Sequence, residues 1–169
     1  MKTSLLVIGG GAAGLMAAGF AAASGVQTTV LERNDRPARK VMITGKGRCN
    51  VTNNCTSLET LIANVPQNGR FLYGAFSRFM PADVIDFFES RGVALKTERG
   101  NRVFPVSDKA VDIVDAMKKY TVINGVDFTS DTVSEIVFDE TAVKGVKTES
   151  GKEYEAKSVI IATGSTAKR

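Results

Sequence analysis

Residues 3–18 read TSLLVIGGGAAGLMAA, and the fold is decided there. Thr3 to Ile8 is an apolar run of strand length, and the glycines at 9, 10 and 11 end it. Ala12 to Ser24 is an alanine-rich helical stretch, with Gly25 placed to cap its C-terminus. TTVLE at 28–32 is a second, β-branched strand that closes on an acid. Strand, tight turn, helix and strand within about thirty residues make a parallel βαβ unit.

Gly9, Gly11 and Gly14 satisfy G-x-G-x-x-G inside that unit. Gly9 permits the tight turn, Gly11 lets backbone approach a pyrophosphate, and Gly14 lets the helix lie close on the sheet. The first-turn amides, at Ala12, Ala13 and Gly14, have no partner within the helix. They face a diphosphate at the positive end of the helix dipole. Glu32 ends the second strand eighteen residues after Gly14. A carboxylate there accepts hydrogen bonds from an adenosine ribose and disfavours a 2′-phosphate, which selects FAD or NAD over NADP. A glycine-rich turn that only packs would need neither the spacing nor the terminal acid.

Downstream, Leu58–Asn64 and Phe71–Phe79 read as short helices, and Pro81 opens a firmer one closed by Gly92. Phe87 and Phe88 within it read as core. Residues 93–107 read as two strands around Gly100, followed by a helix that Ser107 can cap and that runs to Tyr120. Val126–Phe128 is a strand candidate. Val133–Phe138, Val143–Thr148 and Glu153–Ala156 form a three-stranded meander, and SVIIATG at 158–164 is a further buried strand. The layout is a parallel α/β core with an antiparallel excursion.

The 169 residues, 43% of them hydrophobic, suffice for one core, and a single domain is expected. AAASG at 21–25 imitates a leader-cleavage site, but Gly9, Gly10, Gly11, Gly14 and Gly19 break the apolar run, so neither a leader nor a membrane span is expected. Two cysteines in a domain of this size fit a reduced, cytoplasmic setting.

The window from Glu32 to Asn50 is the most positive in the chain, with six basic and two acidic residues. It runs into ITGKGRCNVTNNC at 43–55. A metal site would have only Cys49 and Cys55 as soft ligands in a chain with no histidine, so no metal is expected. Nucleic acid is not expected either, because no aromatic residue is interleaved from Arg33 to Asn64 to stack on bases. A nucleotide fits better. Gly45 and Gly47 let backbone pass near a ligand, Arg48 offers a charged donor, and Asn50, Asn53 and Asn54 can hold the loop or address ring atoms.

Together VIGGGAAGLMAA, the LE at 31–32, RKVMITGKGRCNVTN, RVFPVSDKAVDIVDAM and VIIATG resemble the bacterial flavoprotein family of BaiN-like and aminoacetone oxidase-like enzymes. The resemblance spans nearly the whole chain, and GRCNVTN is its most specific part. It implies an α/β, Rossmann-like FAD/NAD(P)-binding domain of the glutathione-reductase type, a parallel sheet with an antiparallel three-stranded meander crossover. It implies non-covalent FAD, with Gly9, Gly11, Ala12, Ala13 and Gly14 at the diphosphate, Glu32 at the adenosine ribose, Lys40 close to the ribose or the adjoining loop, and Arg33 among the cofactor-binding residues. Gly45, Gly47, Arg48, Cys49, Asn50 and Asn53 would line the flavin side. Ala162, Thr163 and Gly164 would pass the cofactor, and Val126 or Asp127 would meet adenine through its backbone.

Two departures stand out. Lys46 occupies a position where the family often has glycine, and the family's members continue past ATGG where this chain reads ATGSTAKR. Residues 1–169 are therefore expected to be the FAD-binding domain of a longer two-domain flavoprotein. That enzyme would pass hydride or electrons between a reduced nicotinamide, NAD(P)H, or a small organic substrate and an acceptor. No catalytic base is assigned. Cys49, beside Arg48, is a possible low-pKa thiol but reads as a loop-packing residue. An NAD-dependent dehydrogenase domain and a non-catalytic nucleotide-binding module are the alternatives. Substrate and oligomeric state are not legible.

Overall fold

Leu5, Leu6, Val7 and Ile8 are all buried, so β1 (Lys2–Ile8) is covered on both faces, as a central parallel strand must be. On one side it pairs in parallel with β2 (Thr28–Glu32), and beyond β2 lies β6 (Asp127–Ser130), also parallel. On its other side it pairs in parallel with β9 (Glu153–Ile161). Antiparallel β8 (Val143–Thr148) and β7 (Val133–Phe138) complete the order β6-β2-β1-β9-β8-β7.

The computed structural model describes residues 1–165. They form two compact units, one of Met1–Val41 with the chain from Met117 onward, the other of Met42–Ala116.

In the first unit, α1 (Ala12–Ala23) brings Ala18 onto Leu5, Val7, Val30 and Val126 on one face of the sheet. The meander brings Val146, Tyr154 and Ala156 onto Leu6, Ile8 and Leu31 on the other. Gly25 follows α1 at φ +82°, the left-handed conformation that stops a helix. The doubly covered sheet and its meander are the α/β architecture expected from the sequence.

One expectation changes. The meander's last strand and the final parallel strand are a single strand: β9 pairs with β8 over Glu153–Glu155 and with β1 from Glu155 to Ile161. No glycine, proline, asparagine or aspartate falls between Ala156 and Ser158, so nothing breaks it. Its far end is also less buried than expected, with Ile160 37% and Ile161 65% exposed.

The second unit is a small antiparallel sheet, β3-β5-β4, from Thr52–Asn53, Arg102–Pro105 and Leu95–Glu98. With it are short helices α2 (Leu58–Ala63) and α3 (Tyr73–Phe76) and the firmer α4 (Pro81–Glu89). Pro81 takes the first turn of α4, the Met80 amide donates to the Asp83 carboxylate at 2.6 Å, and Phe87 and Phe88 are buried. Two short 3-10 turns within Val41–Gly47, separated by a kink at Thr44, Gly45 and Lys46, and strand β3 stand where the sequence shows no period. The helix α5 (Ala110–Ile123) starts two residues later than a cap at Ser107 predicts, and the Ser107 hydroxyl accepts from the Lys109 amide at 3.3 Å. Among the described residues no helix is long and apolar enough to cross a membrane.

Leu6 is fully buried between β2 and β9, so Leu6→Ala should cost about 2–5 kcal/mol. In a chain of this size that lowers the melting temperature by roughly 5–15 °C. A scanning melt checks it.

Candidate functional site

The first turn is built by contacts that only glycine allows. Gly9 sits at φ +103°, donates its N–H to Leu31 O at 2.8 Å, and has Ala162 donating to Ile8 O at 2.8 Å beside it. The carboxyl ends of β1, β2 and β9 therefore converge on one point, where the strand order turns from β2 on one side of β1 to β9 on the other. Open α/β sheets bind ligands at such a point. A Cβ on Gly9 would lie 2.6 Å from the Ala162 carbonyl oxygen, and one on Gly14 would run into the Gly9 carbonyl.

Gly11 is different. It caps α1 at φ −74°, ψ −174°, a conformation open to any residue, and a Cβ there would meet nothing within 4 Å among the described residues. The fold does not need glycine at that position; only something approaching from outside would. Helix α1 has no side-chain cap and no acid in its first turn, and Ala12 and Ala13 are exposed. Its amide end is thus open to an anion, as a dinucleotide diphosphate requires.

Glu32 is half-buried at the end of β2. Its Oε2 accepts the Gly10 N–H at 2.6 Å, and its Oε1 accepts the Asn34 backbone N–H at 2.9 Å and the Asn34 side-chain amide. Gly10 and Asn34 escaped the sequence reading. The doubled glycine before Gly11 was the available signal, since a Cβ on Gly10 would crowd Glu32 and Pro37 at 3.2–3.4 Å. The Gly10 carbonyl accepts the Ala38 N–H at 2.8 Å, with Ala38 at φ +58°. Arg33 is exposed just past β2.

Lys40 donates from Nζ to the Ser165 carbonyl and borders Gly164, tying the loop after β2 to the segment after β9. Thr163 lies against Gly9 and is exposed. A cavity of about 280 Å³ opens beside Glu32, Asn34 and Pro37, walled by Lys118, Val122 and Phe128. Val126 does not line it. It lies before β6 rather than at its carboxyl end, its side chain joins Leu5 and Val7 in the core, and its N–H is taken by Thr121 O at 3.0 Å.

Gly45, Gly47, Arg48, Cys49, Asn50 and Asn53 gather in the second unit. Gly45 at φ +56° packs where a Cβ would come within 3.0 Å of the Asn50 amide and 3.1 Å of the Phe104 ring. Gly47, at φ +86°, is exposed. Asn53 Nδ2 donates to Gly100 O at 3.2 Å, and the Asn50 amide, with its nitrogen toward Thr52 O and Val103 O, reaches them at 3.1 and 3.3 Å. Both side chains hold backbone.

Arg48 is bound too. Its guanidinium lies 4.2 Å over the Phe104 ring, pairs with Glu98, and reaches Asp108 Oδ1 at 2.7 Å, while Lys96 meets Asp108 Oδ2 at 2.8 Å. Two cations and two carboxylates cancel. Hydrogen bonds from Arg48 hold the Glu98 carboxyl below the usual carboxylate range; those from Lys96 and then Arg48 do the same for Asp108. Since Arg48 is turned to these acids, it does not activate Cys49. That residue is 5% exposed at φ +63°, and burial pushes its thiol up against a smaller, opposite effect of a hydrogen bond with Thr44. The reading of Cys49 as a packing residue fits this burial.

Residues 3–168 match the family described as HI0933-like protein Rossmann domain. Among curated proteins, the chain is 32% identical over 114 residues to the 3-dehydro-bile acid delta(4,6)-reductase of Clostridium scindens. That alignment covers 66% of this chain and 27% of the relative. It is 31% identical over 112 residues to the ribosomal RNA dihydrouridine synthase of Escherichia coli, with the same 66% and 27% coverage. The chain thus spans about a quarter of the length of these relatives. Among solved structures, 3-ketosteroid-delta4-(5alpha)-dehydrogenase from Rhodococcus jostii superposes with a TM-score of 0.75 at 18% identity, over 97% of this chain and 46% of that one, a likeness of fold.

Asp108 stands at φ +57°, which asparagine tolerates, so Asp108→Asn removes charge with little backbone strain. A carboxylate held low stabilises above its ordinary range, and that contribution is lost as pH falls through the lowered value. The variant should melt below the parent chain at about pH 7, and the gap should close as pH falls below about 4. Melts across that range check the sign.

Proposed function

The chain belongs to the HI0933-like family and is its FAD-binding Rossmann domain, and on that premise we propose that it serves a flavin-dependent reductase of carbon–carbon double bonds conjugated to a carbonyl. The two relatives supply the substrate class. One is named for reduction at the 4,6 positions of a 3-dehydro bile acid, the other for making dihydrouridine in ribosomal RNA. In chemical terms both saturate an alkene activated by a neighbouring carbonyl.

The observation that carries the cofactor reading is the contrast among the three glycines. Gly9 and Gly14 are forced by the chain's own backbone, while Gly11 keeps open a space that the described residues leave unused. The amides of Ala12, Ala13 and Gly14 would hold the diphosphate, Glu32 would take the ribose hydroxyls, and the cavity beside Phe128 would receive the adenine. Ala162, Thr163 and Gly164, kept against the turn by Gly9 and Lys40, would border the cofactor's path. Bound there, a flavin supplies hydride transfer; the chain's residues bind and orient it. In the second unit, Gly45, Gly47, Arg48, Cys49, Asn50 and Asn53 would serve the flavin side as a loop held rigid by Glu98, Asp108 and Phe104.

We read the chain as the nucleotide portion of a longer flavoprotein, with NAD(P)H as electron donor, a small enone as substrate, and free thiols at Cys49 and Cys55 suited to the cytoplasm. The Escherichia coli relative favours a second substrate, the uracil ring of an RNA. Assaying the whole protein on a steroidal enone and on uridine-containing RNA separates the two.

Gly11→Ala tests the cofactor reading. Its unliganded melting temperature should change by no more than about 4 °C, the effect of a weaker cap, whereas FAD affinity should fall at least about tenfold. FAD titration followed near 450 nm, about where oxidised flavin absorbs, measures it. Unchanged affinity would remove the diphosphate from this turn.

A further inference from the structure

Asn34 stands between a carboxylate and a guanidinium. Its backbone N–H and side-chain amide both donate to Glu32 Oε1, while its own Oδ1 accepts from Arg39 Nη1 at 2.8 Å. Its carbonyl lies 3.5 Å from the Ser130 hydroxyl at the end of β6. An amide suits this place because it carries a donor and an acceptor on one short planar group.

Two consequences follow for Glu32. A carboxylate offers about four lone-pair sites. Gly10 takes one on Oε2 and Asn34 takes two on Oε1, so among the described residues the site left vacant is on Oε2 and fixed in direction. Arg39, meanwhile, is held on Asn34. Released, a guanidinium five residues away could pair bidentately with Glu32 or meet a phosphate beside it.

We propose that Asn34 is a positioning and specificity-determining residue for the adenosine ribose: it aims the Glu32 carboxylate at ribose hydroxyls and keeps Arg39 from accommodating a 2′-phosphate. This rests on the reading of the first turn as the dinucleotide site. Removing Asn34 should therefore change which ribose is accepted, beyond weakening binding in general.

Calorimetric titration of the chain with ADP and with adenosine 2′,5′-bisphosphate tests it. Asn34→Ala should lose about tenfold or more in ADP affinity, the scale of hydrogen bonds to a charged group, and the preference for ADP over the 2′-phosphate should fall at least about tenfold. Adding Arg39→Ala should restore the preference without restoring affinity. The near-isosteric Asn34→Asp keeps an acceptor for Arg39 but loses the side-chain donor to Glu32, so it should bind ADP more weakly while still rejecting the 2′-phosphate. Equal losses for both ligands, a preference indifferent to Arg39, or ADP binding by Asn34→Asp as in the parent would each overturn the proposal. Failure of the parent chain to bind ADP would sink the dinucleotide reading and this inference with it; parent binding with unaltered variants would sink the inference alone.

Discussion

The rest of the first unit depends on how closely α1 approaches the strand ends. Gly14 lies against the Gly9 carbonyl, and Gly9 against Ala162, with no room for a methyl group in either contact. This wedge sets the start of α1 over the convergence of β1, β2 and β9. The helix's unpartnered amides then point out of the sheet rather than into it. Burial of Leu5 and Val7 under α1, and of Leu6 and Ile8 under the meander, supplies the apolar stabilisation that holds the wedge shut.

Much of this was legible because the signals were local. The turn, α1, β2 and each strand of the first hairpin in the meander follow from spacing and from turn residues close in sequence. The continuity of β9 was less legible. The residues that divide its roles, Glu155 on the boundary and Ile161 at the end, differ in their partners and not in their conformation. Strand pairing is a tertiary fact, and a run of apolar and charged residues does not announce a change of neighbour.

The candidate binding residues divide in the same way. Gly9, Gly11, Gly14 and Glu32 could be read because a fixed spacing carries their chemistry. Asn34 could not, since its meaning lies in standing between Glu32 and Arg39, which only the folded loop brings together. Arg48 shows the converse. A basic residue directly after a glycine-rich turn suggests an anion site, yet the acids that claim it, Glu98 and Asp108, come from fifty and sixty positions away.

The central claim is that bare amides of the first turn receive a diphosphate, and backbone resonances read this directly. In a titration of the uniformly ¹⁵N-labelled chain with ADP, the account predicts the largest amide shifts at Gly11 through Leu15, with Asn34 moving in step. Shifts concentrated at Gly45 to Asn53, with the Gly11–Gly14 amides unmoved at saturation, would contradict it.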